Sequence, residues 1–172
     1  MIDMSFFGLL FLAYVIQQSH APAVFATSQT TMDLRLGVIN TIVLLTSSWL
    51  VALAVDAVRR DDLRAARVAL PLAAACGAAF GVVKVVEYSH KITAGYSLET
   101  NDFFLFYFVI TFIHLLHVLV GTVVLSIMTR KAHVGALGPG RSTGLENAAT
   151  YWHMVDLLWI MIFALIYLVR WR

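Results

Sequence analysis

The chain has 172 residues, 60% hydrophobic and only 13% charged, with a net charge of +2. A mean hydropathy of +0.84 excludes an ordinary soluble domain and leaves room for a single membrane domain of about five spans of ~20 residues each. The basic residues fall in short clusters between apolar runs, which argues against nucleic acid as a partner. A lone cysteine, Cys76, rules out an intrachain disulfide and a cysteine metal site.

The fold expected is an all-α, polytopic transmembrane helix bundle with spans at about 1–18, 37–56, 68–88, 103–128 and 144–170. The first run lacks a basic flank and a small-residue cleavage site, so it is not read as a signal peptide. Its uncharged stretch, 4–16, is too short to cross ~30 Å of hydrocarbon as a helix. Either it is re-entrant or the sequence starts inside a longer helix; the second reading, an apparently truncated first span, is the expectation here.

Span 37–56 follows Asp33 and Arg35. Span 68–88 has Pro71 in its first turn, where a missing N–H costs little. Span 103–128 is preceded by Asn101 and Asp102, both natural N-cap residues. The segment 129–150, with Gly135, Gly138, Pro139, Gly140 and Gly144, reads as a flexible linker without a phosphate-binding pattern. Thr143-Gly-Leu-Glu146 then has the form of a capping box opening the last span. There is no internal repeat, which counts against a transporter of two inverted halves.

Lys and Arg set the orientation. Seven lie in the loops after the second and fourth spans (Arg59, Arg60, Arg64, Arg67, Arg130, Lys131, Arg141), against four on the other side (Arg35, Lys91, Arg170, Arg172). The amino terminus is therefore expected in the cytoplasm and the carboxyl terminus outside. Tyr151, Trp152, Tyr167 and Trp171 fit aromatic belts at the ends of the last span.

An ionisable group inside a span costs ~2.5–3.5 kcal/mol at mid-helix, so each needs an account. Asp3 stands in the first run. Lys84 and Glu87, three apart, can form an ion pair, either as a self-neutralising pair near the outer end of its span, where Lys84 can snorkel, or as a proton-relay element. His114 and His117 share a face. They could join a metal site or supply a haem ligand, with His153 or His90 as further candidates, or they could hydrogen-bond across helices as polar glue. Glu146, His153 and Asp156 fall along one stripe of the last helix. That stripe could orient a metal ligand, relay a proton or lock two helices together, and it is expected to face protein. Ala73, Gly77 and Gly81 form a small-residue face for close helix approach. Phe103, Phe104, Phe106 and Phe108 read as lipid-facing or packing bulk.

These motifs together resemble a known family. YWHMVDLLW (151–159), preceded by Glu146-Asn147, resembles the last-helix signature of cytochrome c oxidase subunit III. Phe106-Tyr107-Phe108, followed by TFIHLLHV (111–118) and Gly121, is similar to that family's penultimate helix, with Phe112 where the family usually has Gly. Asn40-Thr41 with Leu44-Leu45-Thr46-Ser47-Ser48, and Gly77, Phe80, Lys84 and Glu87-Tyr88, are similar to two further segments in order. Asp3 matches the family's intramembrane acid, although its place at the start of the chain departs from the mid-helix pattern. The chain matches the last five of the seven helices of long members, as short forms in some bacterial oxidases and beside nitric oxide reductases do.

The resemblance implies a non-catalytic component of a haem–copper oxidase in aerobic respiratory electron transport, in the bacterial cytoplasmic membrane. Its partner would be the catalytic subunit I, which holds the haem and copper; this chain would bind no cofactor of its own, with phospholipid as an admissible ligand. It would stabilise the catalytic subunit and support proton uptake. The family's lipid cleft is carried over least, because the chain lacks the two helices that form one wall of it. Asp3, Lys84, Glu87, His114, His117, Glu146, His153 and Asp156 would form the buried polar core and subunit-packing set, with no catalytic or metal-binding residue among them. Two alternatives stand beside this: an accessory protein of a nitric oxide reductase, and an independent haem- or metal-binding redox protein using His114, His117 and His153. A proton or cation pathway on Asp3, Glu87 and Asp156 is a third.

Overall fold

Hydrocarbon offers no hydrogen bonds to a peptide group, so a segment in a bilayer satisfies its own backbone by becoming a helix. The computed structural model, which describes residues 2–169 with side chains from Met4 onward, is all-α over those residues. The helices are α1 (Ile2–His20), α2 (Pro22–Gln29), α3 (Leu34–Arg59), α4 (Leu63–Thr93), α5 (Asp102–His133) and α6 (Thr143–Phe163), the last continued by a π turn, Ala164–Leu168. Four of them, counting α6 with its π turn, are long and apolar enough to cross a membrane, and α1 with α2 makes a fifth, bent pair.

The ends of these helices follow from short polar side chains. Asp33 caps α3 by accepting from the N–H groups of Arg35 and Leu36, and Asn101 caps α5 through Phe104 N at 3.1 Å. Asp62 caps α4 through Ala65 N. The preceding Asp61 takes φ 61°, a left-handed conformation that Asp tolerates better than most residues, so the α3–α4 connection closes in a few residues.

Two local expectations are corrected. Helix α4 starts five residues before 68, so Pro71 stands inside it; its missing N–H leaves the Arg67 carbonyl without its usual helical donor. At α6 the N-cap is Ser142, not Thr143, and it makes no side-chain cap bond. Instead Ser142 Oγ donates to Glu146 Oε1 at 3.0 Å.

Helices α3, α4, α5 and α6 form a closed ring, each packed on its neighbours. Helix α3 runs antiparallel to α6: Gly37 meets Phe163 and Tyr167 at one end, and Arg59 meets Glu146 at the other. Helix α1 lies along the outside of α5, with Phe7 against the His117 ring, Tyr14 against Phe106 and Gln17 Nε2 donating to Asp102. Then, at Ala21-Pro22, the chain turns by 109° into α2. The expected first span thus continues to His20, about 28 Å of helix by rise, before the break.

Helix α2 and the residues after it close one end of the ring. Lys91 Nζ donates to the Thr31 carbonyl, Asn101 Nδ2 to Ser28 Oγ at 3.0 Å, and Gln29 Nε2 to the carbonyls of Leu165 and Val169 at 3.3 and 3.0 Å. In the π turn Val169 N–H bonds the Ala164 carbonyl in place of the Leu165 carbonyl, which is thereby available to Gln29; the Val169 carbonyl lies beyond the turn.

The middle of the ring is set by Trp152, which is 1% exposed. Its indole lies between two glycines: a Cβ on Gly121 would come within 2.6 Å of Trp152 Cε3, and one on Gly77 would meet Thr122 Oγ1 and Trp152 Cη2. Trp152 and Tyr167, which is also buried, therefore belong to the core and not to an aromatic belt; Trp171 lies outside the described residues. Phe103 and Phe104 are buried, while Phe106 and Phe108 are half-buried, so these rings serve as packing bulk.

The glycines give a direct test. Gly121→Ala is expected to destabilise the detergent-solubilised chain by about 1–3 kcal/mol, the cost of overpacking a filled core. Gly81→Ala, whose Cβ would meet only Leu115 at 3.8 Å, should be close to neutral. Thermal unfolding followed by size-exclusion recovery distinguishes the two.

Candidate functional site

A carboxylate buried in a helix bundle must collect donors from whatever helices surround it. Glu87, 1% exposed on α4, collects three. Lys84 Nζ, one turn earlier, donates to Oε2 at 2.9 Å. Tyr107 OH from α5 donates to Oε1 at 2.9 Å, and Tyr167 OH from the π turn donates to the same oxygen at 2.5 Å. Tyr167 OH in turn accepts from Lys84 at 3.3 Å.

Lys84 is fully buried and does not snorkel. Its ammonium lies 5.1–5.3 Å from the ring centroids of Tyr107, Trp159 and Tyr88, close enough for each π face to attract the cation. The result is a closed unit: a neutralised pair, two phenols and an aromatic cage.

The histidines divide. His114, fully buried on α5, donates from Nε2 to the Val155 carbonyl of α6 at 3.0 Å, with Phe80 and Trp159 against its ring. It ties two helices. His117 donates from Nδ1 to Ile113 O of its own helix at 2.8 Å and meets Phe7 of α1. The two rings hold different partners, and among the described residues no group of three His, Cys, Asp or Glu side chains is placed to hold a metal ion.

The stripe on α6 faces α3 along its whole length. Near one end Glu146 accepts from Arg59 at 2.9 Å, both partly exposed; at mid-depth His153 Nδ1 stands 2.8 Å from Ser48 Oγ. Asp156, buried beside them, is close enough to interact with Ser48 and His153. The single buried polar core expected from sequence is therefore divided. Lys84, Glu87, His114 and Asp156 are interior, His117 is half-buried, and Glu146 and His153 reach the surface. The Asp3 side chain lies outside the described residues.

Sequence reasoning missed Tyr107, Tyr167 and Ser48 as members of these clusters, and Gln29 and Lys91 as the ties of α2. It also passed over the interior role of Asn40, which is fully buried on α3. Tyr107 carried one usable signal: a phenol near a helix start, level in an up-down bundle with the end of the preceding helix where Glu87 stands.

A set of inward ionisable groups paired within the bundle, on a chain that otherwise faces lipid, describes a scaffold more than a reaction centre. The family model for cytochrome c oxidase subunit III matches residues 4–171. The chain belongs to the cytochrome c oxidase subunit III family. A cytochrome c oxidase subunit 3 of Thermostichus vulcanus is 35% identical over 163 residues, covering 94% of this chain and 79% of that protein. The subunit 3 of a Synechocystis strain is 34% identical over 160 residues, 92% and 67% of the two chains. A probable subunit 3 of Nocardia farcinica is 29% identical over 168 residues, 98% and 83%. In this chain the motifs over 40–48, 77–88, 106–121 and 146–159 supply Ser48, His153 and Asp156 to one cluster and Lys84, Glu87 and Tyr107 to the other, while Tyr167 lies outside them.

The buried pair makes a quantitative expectation. Glu87→Gln or Lys84→Met alone leaves an uncompensated charge in the bundle and should destabilise by about 3–5 kcal/mol, whereas the double substitution should cost much less than the sum. Thermal stability of the purified chain, measured as a double-mutant cycle, reads the coupling.

Proposed function

We propose that this chain is the non-catalytic third subunit of a membrane-bound cytochrome c oxidase, packing against the catalytic subunit and holding no redox centre of its own. The observation that carries the reading is the family match over nearly the whole chain. The interior supports it: His114, Lys84 and Glu87 are engaged in contacts between helices. The relatives named above carry the oxidase name, so the oxidase is the partner class proposed in place of a nitric oxide reductase.

In this role the chain acts mechanically. Its rigid four-helix ring presents a fixed surface to the catalytic subunit, and its buried polar clusters keep that surface from shearing. By stabilising the catalytic subunit it supports proton uptake there. Asp3, Lys84, Glu87, His114, His117, Glu146, His153 and Asp156 are the polar packing set of this proposal.

The ends of the ring support an orientation. Arg59, Arg60, Arg64, Arg67, Arg130 and Lys131 gather at the end where α3 and α5 finish and α4 begins, and Arg67 Nε donates there to Ala132 O. This basic end faces the cytoplasm, and α2 closes the outer end.

The tagged chain, drawn from its native membrane in mild detergent, is expected to bring a catalytic subunit at near-equal stoichiometry, with oxidase haems in the reduced-minus-oxidised spectrum. The isolated chain should give no such spectrum. Haem held by the chain alone, with no partner, would sink the reading. For the orientation, an introduced cysteine at Leu98 should react with an impermeant maleimide in intact cells, and one at Gly138 only after the membrane is opened.

A further inference from the structure

At mid-depth in a bilayer neither water nor lipid tails can hydrogen-bond an imidazole, and polar side chains there turn toward protein or a wet cavity. His153 does so with only one side of its ring. Ser48 stands midway along α3 and Asp156 midway along 143–168, so the cluster they form with His153 belongs to the hydrocarbon zone. Asp156 and Ser48 are buried, yet His153 is exposed.

Only its Nδ1 is engaged, with Ser48 Oγ at 2.8 Å. Nε2, on the opposite side of the ring, has no hydrogen-bond partner within the described residues. Held from behind by the Ser48 hydrogen bond, with Asp156 nearby, the imidazole keeps one orientation rather than swinging freely.

The exposed large side chains near it are apolar. Counting around the helices, Leu45 on α3 and Leu157 on α6 flank the seam on its outward side, 46% and 47% exposed, with Trp49 at 63% beyond them. Helix α1 covers α5 instead, so nothing in the described chain covers the seam between α3 and α6. Between transmembrane helices, polar side chains such as His hydrogen-bond across the contact while apolar surface packs around them. Lipid could cover the aliphatic part but would leave Nε2 unpaired.

We propose that the α3–α6 seam is the face that docks the catalytic subunit, with His153 Nε2 hydrogen-bonding a polar side chain at mid-depth on one of that subunit's transmembrane helices. The inference rests on the accessory-subunit reading above and adds the face and the contact. Ser48 is a positioning residue for it. Glu146 with Arg59 extends the same seam to the cytoplasmic end.

The test uses the whole complex in its native membrane, with p-benzoylphenylalanine at Leu45 or Leu157, and at Val82 on α4 or Val123 on α5 as comparably exposed controls. Probes on exposed positions leave the bundle core untouched. Cross-linking to the catalytic subunit from 45 and 157, and not from 82 or 123, is the expected result. His153→Leu should lower the fraction of the chain retained on the catalytic subunit through a detergent wash by about tenfold, and His153→Gln, which keeps a hydrogen-bonding group, should restore most of it. If the catalytic subunit co-purifies but cross-links only from 82 or 123, or if 45 and 157 reach lipid alone, the docking face is wrong while the accessory role stands. If no catalytic subunit accompanies even the unsubstituted chain, the accessory reading itself falls.

Discussion

A carboxylate inside a membrane protein is tolerable only when its charge is met and its oxygens are occupied, and the arrangement of this bundle follows from meeting that demand at Glu87. The counter-charge comes from the same helix, Lys84 one turn away. Two further donors come from α5 and from the π turn after α6. Three of the four ring helices therefore have their relative height fixed at one level, since a slide of even a single residue would withdraw a phenol from Oε1. The fourth, α3, is fixed by other means: Ser47 donates to the Ala73 carbonyl at 2.8 Å, and Trp159 Nε1 donates to Thr41 Oγ1 at 3.0 Å.

Packing and polarity reinforce one another along the ring. The two glycines that receive Trp152 bring α4, α5 and α6 close together. That closeness lets His114 on α5 reach the Val155 carbonyl of α6. A hydrophobic effect between helices is weak in lipid, so close contact and interhelical hydrogen bonds are the forces available; this chain uses both at each level of the ring. Over the end of the ring opposite the basic loops, α2 is tied to α4, α5 and the π turn by Lys91, Asn101 and Gln29, so the break after α1 is a fixed corner.

The helical, membrane-spanning character was legible because hydropathy and length dominate in lipid, and the Lys84–Glu87 pair was legible because its spacing is local. The α6 stripe was legible as one side of a helix, since offsets along one helix determine which residues share a side, and its members meet Arg59 and Ser48 of α3. What escaped was whatever depended on a second helix. Trp152 looks like a belt residue until Gly77 and Gly121 are seen to receive it. Tyr167 looks like one until a π turn, for which the sequence gives no period, aims it at Glu87. Likewise, the sequence grouped His153 with the buried set, because a helical stripe specifies the facing element but not how far out on the seam each member lies. The cap at Ser142 and the early start of α4 at Leu63 escaped for a simpler reason: helix ends in a polar loop are decided by single competing hydrogen bonds.

The sharing of Glu87 between α4 and the end of α6 also bears on the order in which the protein is made. The chain is synthesised from the amino end, so α4 enters the membrane before Tyr107 exists and well before Tyr167 does. At that stage Lys84 and Glu87 have only each other, and their spacing lets them neutralise within one helix, which eases insertion. The bond from Tyr107 becomes possible once α5 is made, and the one from Tyr167 only after α6 and its π turn have followed. The π turn is thus a late contribution to this cluster, and a chain cut before Tyr167 would keep its four long helices and still lack one of the bonds that hold Glu87.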